Sequence, residues 1–529
     1  MSGITISYRR EDAEGSAGRL YDRLVGRYEE DFVFMDFYSI ESGEDWMKRI
    51  DETVSGSDVL LVIIGPRWSS VTDHAGRRRL DDEGDYVRHE IRTAVKRNVR
   101  LLPVLVQGAR MVDPEELPAD LEALSRVQAF SLDSRSYERD VQQLFRFIDG
   151  IVGYGGEIPR FTEERTAVAG FVGLAARGPT DGPVLVTKWA QFESTFGGFL
   201  PGTLLAHGVA GWFANGGDEC FIVRVGDGEG RVDPNDFIGR ATTGLAGLEG
   251  AEGVTVVGAP DIVGLYEGGI YGVEEVRSVQ LGLIAHCEQM MNRVAILDPL
   301  PGLSPQHVAE WAKTADWDSK AAALYYPWLK VVDRTSGRLM WVPPSGHIAG
   351  TWARNDKERG VWAAPANLPM QGVLDVQNRV KKEESFALQQ ARINIVRPLP
   401  EGIRAWGART LTSDPRFGDI ATVRMVSTLG TFMVKVTSWA AYERSNQRTW
   451  NRLASSVQAV LETLWRQGAF VGSSAAEAFY VKCDGELNVP ELVDSGRIRI
   501  EFGFALKLPG DFFRMDVEQP TGDISVYGE

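Results

Sequence analysis

Between residues 59 and 64 the chain reads Val-Leu-Leu-Val-Ile-Ile, six apolar residues with no polar interruption. A strand with one wet face alternates polar with apolar residues. An unbroken run of this length instead suits a strand covered on both faces, as in a parallel sheet sandwiched by helices. The flanking pattern agrees. Short apolar runs at 4–7, 32–35 and 99–106 read as further strands, and apolar residues recur at helical spacing through 18–28, 45–54, 85–97 and 137–152. Trp46, Ile50 and Val54, for example, fall on one helix face. Strand and helix in strict alternation imply a small doubly wound parallel sheet over the first 150 residues. Ligands bind such sheets at the carboxyl ends of the strands.

Residues 150–166 break this pattern. They hold Gly153, Gly155, Gly156 and Pro159, followed by Thr162-Glu163-Glu164-Arg165, the composition of a linker or extended arm. A larger α/β region follows. Strands are predicted at 167–175, 183–187, 220–225, 254–257 and 293–297, and helices at 204–215 and 276–291. A long amphipathic helix is predicted at 448–467, where Trp450, Leu453, Val457, Val460, Leu461, Leu464 and Trp465 follow the 3.6 period. Strands at 479–483 and 497–504 close the pattern. Residues 512–529 show no core pattern and read as a C-terminal arm. The expected organisation is a domain at 1–152, a linker or N-terminal arm at 153–166, a second domain at 167–511 and an arm at 512–529.

The 529 residues, 43% hydrophobic and 25% charged, fit two or three soluble globular units. A net charge of −16 argues against nucleic acid or an anionic membrane as partner. Cys220, Cys287 and Cys483 are odd in number and far apart, which disfavours a disulfide framework or a zinc site and fits buried thiols in a reducing compartment. No apolar leader and no run of about 18 apolar residues is present, so the expected location is cytoplasmic. No Walker-type phosphate loop occurs, His89-Glu90 lacks a second histidine at zincin spacing, and residues 226–230 lack calcium-loop spacing.

Four segments in the first region carry the chemistry. The first strand leaves into Ile6-Ser7-Tyr8-Arg9-Arg10-Glu11-Asp12. The second leaves into Met35-Asp36-Phe37-Tyr38-Ser39-Ile40-Glu41-Ser42-Gly43-Glu44-Asp45-Trp46. The apolar run continues as Gly65-Pro66-Arg67-Trp68. Asp85-Tyr86-Val87-Arg88-His89-Glu90 opens a helix. Taken in order, these resemble a bacterial TIR domain over residues 1–150. The resemblance implies a flavodoxin-like parallel sheet and an NAD+ glycohydrolase activity, with NAD+ as substrate and no cofactor. Glu90 matches the family's catalytic glutamate. A carboxylate there would stabilise the oxocarbenium-like charge that develops when the nicotinamide–ribose bond breaks. Tyr86, four residues earlier on the same helix face, would stack on the nicotinamide; many family members carry tryptophan there. Ser7, Arg9, Arg10, Asp36, Ser39 and Trp68 complete the expected substrate-binding set. Structural readings stand beside these roles: Glu90 as a solvated helix residue, Arg9 and Arg10 as surface ion-pair partners, Asp36 and Ser39 as loop-shaping residues, Trp68 as packing, His89 as a bystander.

The second region resembles the sheath proteins of contractile phage tails and tail-like particles. The carrying residues include Thr166 to Gly173 with Gly178-Pro179, then Trp212-Phe213-Ala214-Asn215-Gly216-Gly217 and Arg293-Val294-Ala295-Ile296-Leu297-Asp298. Tyr325-Tyr326-Pro327-Trp328, Val342 to Gly350, Gly360-Val361-Trp362-Ala363-Ala364-Pro365-Ala366-Asn367 and Leu464 to Ala469 follow. The resemblance implies a multi-subdomain α/β region that assembles with copies of itself, as a helical filament or ring, through extended arms. The family's Asn-Val-Arg-Arg segment after a Ser-Asp-Pro turn is replaced here by Arg416-Phe417-Gly418-Asp419. No catalytic residues are expected in this region, and His347 reads as a packed histidine.

Together these readings lead to one expectation: a sheath-like assembly that clusters TIR domains to hydrolyse NAD+ to nicotinamide and ADP-ribose or its cyclic form. An anti-phage role by NAD+ depletion follows by family analogy, with a phage or tail-tube component as candidate trigger. The alternative is a structural sheath subunit of a contractile injection particle with a non-enzymatic TIR adaptor.

Overall fold

The computed structural model describes residues 3–28, 32–35, 46–97, 99–133, 137–152, 161, 164–228, 232–443, 445–519 and 523–527. The chain divides into two compact units, 1–158 and 159–529.

In the first unit, β1 (Ile4–Ser7), α1 (Arg10–Tyr28), β2 (Val33–Met35), α2 (Trp46–Ser55) and β3 (Val59–Ile64) alternate as expected. They are followed by α3 (Tyr86–Lys96), β4 (Arg100–Val106), β5 (Phe130–Leu132) and α4 (Tyr137–Val152). The strands form a five-stranded sheet in the order β2-β1-β3-β4-β5, every pair parallel. The run at 59–64 explains itself once placed. Val59, Leu61 and Ile63 face one core with Leu20, Leu24, Val141 and Leu144, while Leu60, Val62 and Ile64 face another with Ile50, Val54, Ile91 and Ala94. Side chains that alternate across a pleat must therefore all be apolar. β5 escaped the sequence reading because Phe-Ser-Leu is too short to show a period.

The second unit contains β6 (Ala169–Leu174), β7 (Val184–Val186), α5 (Leu205–Ala214), β8 (Cys220–Gly226), β9 (Val256–Gly258), α6 (Val273–Met290), β10 (Val294–Leu297) and β11 (Ala322–Tyr326). Next come β12 (Leu329–Val332), β13 (Leu339–Val342), α7 (Ser345–Arg359), β14 (Leu368–Pro369), β15 (Asp375–Val376), β16 (Ile393–Leu399) and β17 (Gly402–Trp406). A nine-stranded sheet runs β14-β17-β16-β11-β10-β9-β6-β8-β7, parallel from β16 to β8 with antiparallel edges, and β13-β12-β15 form a small separate sheet. Helices α5 and α7 approach through glycines. A Cβ on Gly346 would lie 2.2 Å from the Gly208 carbonyl oxygen, and one on Gly350 would lie 2.5 Å from that of Trp212.

The C-terminal part packs α8 (Ile420–Thr437) and α9 (Gln447–Arg466) on an antiparallel sheet of β18 (Phe479–Lys482), β19 (Ile498–Ala505), β20 (Phe512–Gln519) and β21 (Asp523–Tyr527). This corrects the expected arm at 512–529. Its described residues are two strands of the chain's own sheet, β20 paired with β19 along eight residues. Phe513, Met515 and Val517 are buried toward the core, and Arg514, Asp516 and Glu518 alternate with them. Apolar 513, 515 and 517 alternating with charged 514, 516 and 518 is the period-two signal of a strand, which the arm reading passed over. Of the expected linker, 153–160 and 162–163 lie outside the described residues. Phe161 packs against Trp362 and Phe432, and Thr166 is bonded to Asp356, so these residues belong to the second unit.

Candidate functional site

The sheet order 2-1-3-4-5 places a switch point between β1 and β3, where the connections leave toward opposite faces; ligands of such sheets bind there, outside the carboxyl ends. Ser7 ends β1, and Arg9 and Arg10 follow it. Gly65 to Trp68 lead away from β3, and α3, which carries Tyr86 and Glu90, starts from the same end of the sheet. Of the sequence-identified residues, Asp36 and Ser39 lie outside the described residues; the other six are on these segments.

Arg9 is a framework residue in this geometry. Its Nη1 and Nη2 donate to the two carboxylate oxygens of Asp85 at 3.0 and 2.9 Å, and both side chains are 1% exposed. Asp85 is the N-cap of α3: its Oδ1 also accepts the Arg88 backbone N–H at 3.0 Å. Arg79 Nε approaches Asp85 Oδ2 at 3.3 Å, and Arg79 Nη1 reaches Glu11 at 3.0 Å. The Arg9 guanidinium lies 5.5 Å from the Trp68 ring centre, so Trp68, itself buried, covers the pair. A second tie joins the same strand ends. Asp12 accepts the backbone N–H groups of Gly65 and Arg67 at 2.8 and 2.7 Å.

Glu90 is 5% exposed, and Tyr86, one turn before it, is 46% exposed. Val87, Ile91 and Ala94 point α3 into the core. On the opposite flank His89 Nε2 meets Asp51 of α2 at 3.2 Å, and Thr93 Oγ1 donates to the same oxygen at 2.8 Å. Arg92 contacts His89 Nδ1 at 2.8 Å, which suits the tautomer with its hydrogen on Nε2. Helical spacing puts Glu90 between these two rows. Arg10 is exposed. Among the described residues, the Ser7 hydroxyl, Arg9 Nε and Trp68 Nε1 are buried donors with no acceptor. Such donors are costly to leave unmet. Sequence reasoning missed the framework acids Asp12, Asp51 and Asp85. Only Asp85 carried a signal, an aspartate just ahead of a helical pattern.

Two buried aspartates lie at the carboxyl ends of the nine-stranded sheet. Asp261 is buried and accepts the backbone N–H groups of Leu174, Leu204 and Leu205; burial pushes its carboxyl up to about 6. Asp298 accepts the Ser345 N–H at 2.9 Å and its hydroxyl at 2.6 Å, capping the start of α7, and burial pushes it to about 7. Both carboxyls serve the backbone. His347 is buried against Gly211, and burial holds its imidazole down near 4, which keeps it neutral and fits the packed role expected of it. No group of metal-ligating side chains occurs among the described residues. No helix among them is long and apolar enough to cross a membrane.

Comparison with known proteins separates the two units in the same way. Residues 4–145 match the TIR domain family, and residues 273–411 match the phage tail sheath protein central domain. A putative prophage major tail sheath protein of Pseudomonas aeruginosa (strain UCBPP-PA14) is 25% identical over 239 residues, 43% of this chain and 59% of that protein. The tail sheath protein of Salmonella phage ViI is 24% identical over 275 residues, covering 44% and 42%. The chain spans about half the length of these curated relatives. Among solved structures, a chain of the anti-feeding prophage baseplate is 26% identical with a TM-score of 0.54, covering 65% of this chain and 91% of that one. A chain of the contracted PVC sheath complex, from an extracellular contractile injection system, is 26% identical with a TM-score of 0.54, covering 66% and 90%. The five-stranded parallel sheet of the first unit and the mixed sheets of the second therefore belong to a TIR domain fused to a phage-tail-sheath-like region.

Proposed function

We propose that the TIR domain cleaves NAD+ at the nicotinamide–ribose bond and that the sheath-like region gathers many TIR domains into one assembly. The observation that carries this reading is Glu90, a buried carboxylate on α3 one turn from the half-exposed ring of Tyr86, on the helix that follows β3 of the switch point. In this reaction the C1′–N bond breaks, its electrons leave with nicotinamide, and positive charge spreads over C1′ and the ring oxygen. Glu90 stabilises that charge and Tyr86 holds the nicotinamide ring. Water then adds at C1′ and loses a proton, giving ADP-ribose; attack by an adenine nitrogen gives the cyclic form. Ser7 offers a buried hydroxyl to a substrate acceptor. Arg10, Asp36 and Ser39 complete the binding set, and Trp68 backs it.

Assembly serves this chemistry by raising local concentration. The loop after β2 reads Asp36-Phe37-Tyr38 to Glu44-Asp45-Trp46, acidic and aromatic. At the amino ends of β4 and β5 a cavity of about 750 Å³ is lined by Arg100, Arg126, Phe130, Gln143 and Phe147. Its charge and aromatic surface complement that loop from a neighbouring copy. The sheath relatives in the solved structures form helical sheaths, which supports the same kind of self-association here.

The test is NAD+ turnover by the purified full chain, with assembled and dissociated fractions assayed separately. Turnover confined to the assembled fraction is expected, with Glu90→Gln lowering it by about 100-fold or more. Undiminished turnover in Glu90→Gln would remove Glu90 from the mechanism. No turnover in either fraction would favour a structural sheath subunit with an adaptor TIR domain.

A further inference from the structure

We infer that Arg9 and Asp85 act as a positioning pair for Glu90, holding α3 in register with β1, and that Arg9 does not contact the substrate; this rests on the NAD+-cleavage reading above.

Both Nη groups of the Arg9 guanidinium are committed to Asp85, the side chain is 1% exposed, and Trp68 lies over it. A substrate phosphate could reach the Nη groups only by displacing a buried carboxylate, and Nε, which has no acceptor, lies in the same side chain, 1% exposed. Asp85 in turn holds three parts of the domain at one point. It binds Arg9 at the end of β1, Arg79 from the loop after β3, and the Arg88 backbone N–H in the first turn of α3. The cap backbone is extended, φ −68° and ψ 129°, so α3 begins at this carboxylate. Tyr86 is the next residue, and Glu90 follows one turn later.

The other end of the same helix face is fixed separately. His89 and Thr93 both bind Asp51 of α2. Glu90 therefore sits between two anchors, one toward β1 and one toward α2. Releasing the first removes the tie to β1 and lets the start of α3 shift about the second, with Arg88 still bonded there to Asp120 and the Asp81 carbonyl. A displacement of about 1 Å at a catalytic group can cost on the order of 100-fold in rate.

Substitution separates capping from clamping. Asp85→Asn keeps an oxygen to cap α3 but turns an amide N–H toward the Arg9 donors. Arg9→Met keeps the bulk and removes the charge. Arg9→Lys keeps the charge and loses the paired geometry. In the assembled full chain, Asp85→Asn and Arg9→Met are each expected to lower kcat by about 10-fold or more with KM changed less than about 3-fold. The double variant should be no worse than the poorer single, and Arg9→Lys should recover part of kcat. Hydrogen–deuterium exchange should rise in peptides covering 85–96 and stay constant over 100–106. A rise in KM at constant kcat in Arg9→Met would place Arg9 on the substrate and overturn the inference, as would additive effects in the double variant. If the wild-type chain turns over no NAD+, the cleavage reading falls by itself; unchanged exchange over 85–96 in the variants would then refute the clamp independently.

Discussion

Removing the Arg424 guanidinium should destabilise the larger unit far more than removing Arg424 and its partner together. Arg424 Nη1 and Nη2 donate to Asp356 at 2.9 and 2.5 Å, and Nη2 also donates to the Thr166 carbonyl at 3.0 Å. The two side chains are 3% and 4% exposed. Asp356 has one further donor, the Thr166 hydroxyl at 2.6 Å. Arg424→Met therefore strands a buried carboxylate on a single hydrogen bond, a cost of about 3–5 kcal/mol. Asp356→Leu strands the guanidinium beside Trp352, whose ring centre is 5.2 Å away, at a similar cost. The double variant replaces two desolvated charges with apolar side chains; the Thr166 carbonyl still accepts from Thr255 Oγ1 at 2.8 Å, and mainly the Thr166 hydroxyl is left unmet, roughly 1–3 kcal/mol at most. Denaturant unfolding followed by tryptophan fluorescence reads this unit selectively, because only Trp46 and Trp68 of the 14 tryptophans precede residue 159. A loss below about 1 kcal/mol in Arg424→Met, or a double variant as unstable as the two singles summed, would refute the reasoning.

Three further outcomes are expected. Burial raises the Asp298 carboxyl to about 7, above the roughly 3.9 of an unfolded chain. Between those values the folded form holds a proton that the unfolded form has lost, so this group's contribution falls as pH rises through the window. Asp298→Asn should flatten the pH dependence of unfolding between about pH 4 and 7 by up to roughly 1.4 kcal/mol per pH unit. Gly65→Ala would put a Cβ 2.5 Å from the Asp12 carboxylate that binds the Gly65 and Arg67 amides. It should cost the TIR domain about 1–3 kcal/mol, seen as a lower melting temperature, and a neutral outcome would mean the loop yields freely. Arg100→Glu should weaken assembly-dependent NAD+ turnover while leaving the domain folded by circular dichroism; unaltered turnover would discard the cavity beside β4 and β5 as a receptor for the neighbouring loop.

Long elements with strong periodicity were legible in the sequence. The α4 range 137–152 and the long helix α9 were read nearly to the residue, because each presents one apolar stripe whatever it packs against. The candidate site was legible only through the order of its motifs. Arg9 looked like a substrate contact because it follows a strand at the carboxyl end of a sheet. Its partner Asp85 is 76 residues away, and no local pattern pairs them. Asp356 and Arg424, 68 residues apart, were invisible for the same reason. Residues 512–519 carry the period-two alternation of a strand and were nonetheless read as an arm; what the sequence does not display is that Asp516, Glu518 and Gln519 are buried along with Met515 and Val517.

By itself the sequence determined what depends on short-range order: the six-residue buried strand, the alternation that makes a parallel sheet, the break in pattern across 150–166, and the two family resemblances. Tertiary structure alone decided which charges meet, which glycines let helices touch, and which face of an irregular segment is dry. Those outcomes depend on desolvation and contact between residues far apart in the chain, and neither has a period that a sequence can display.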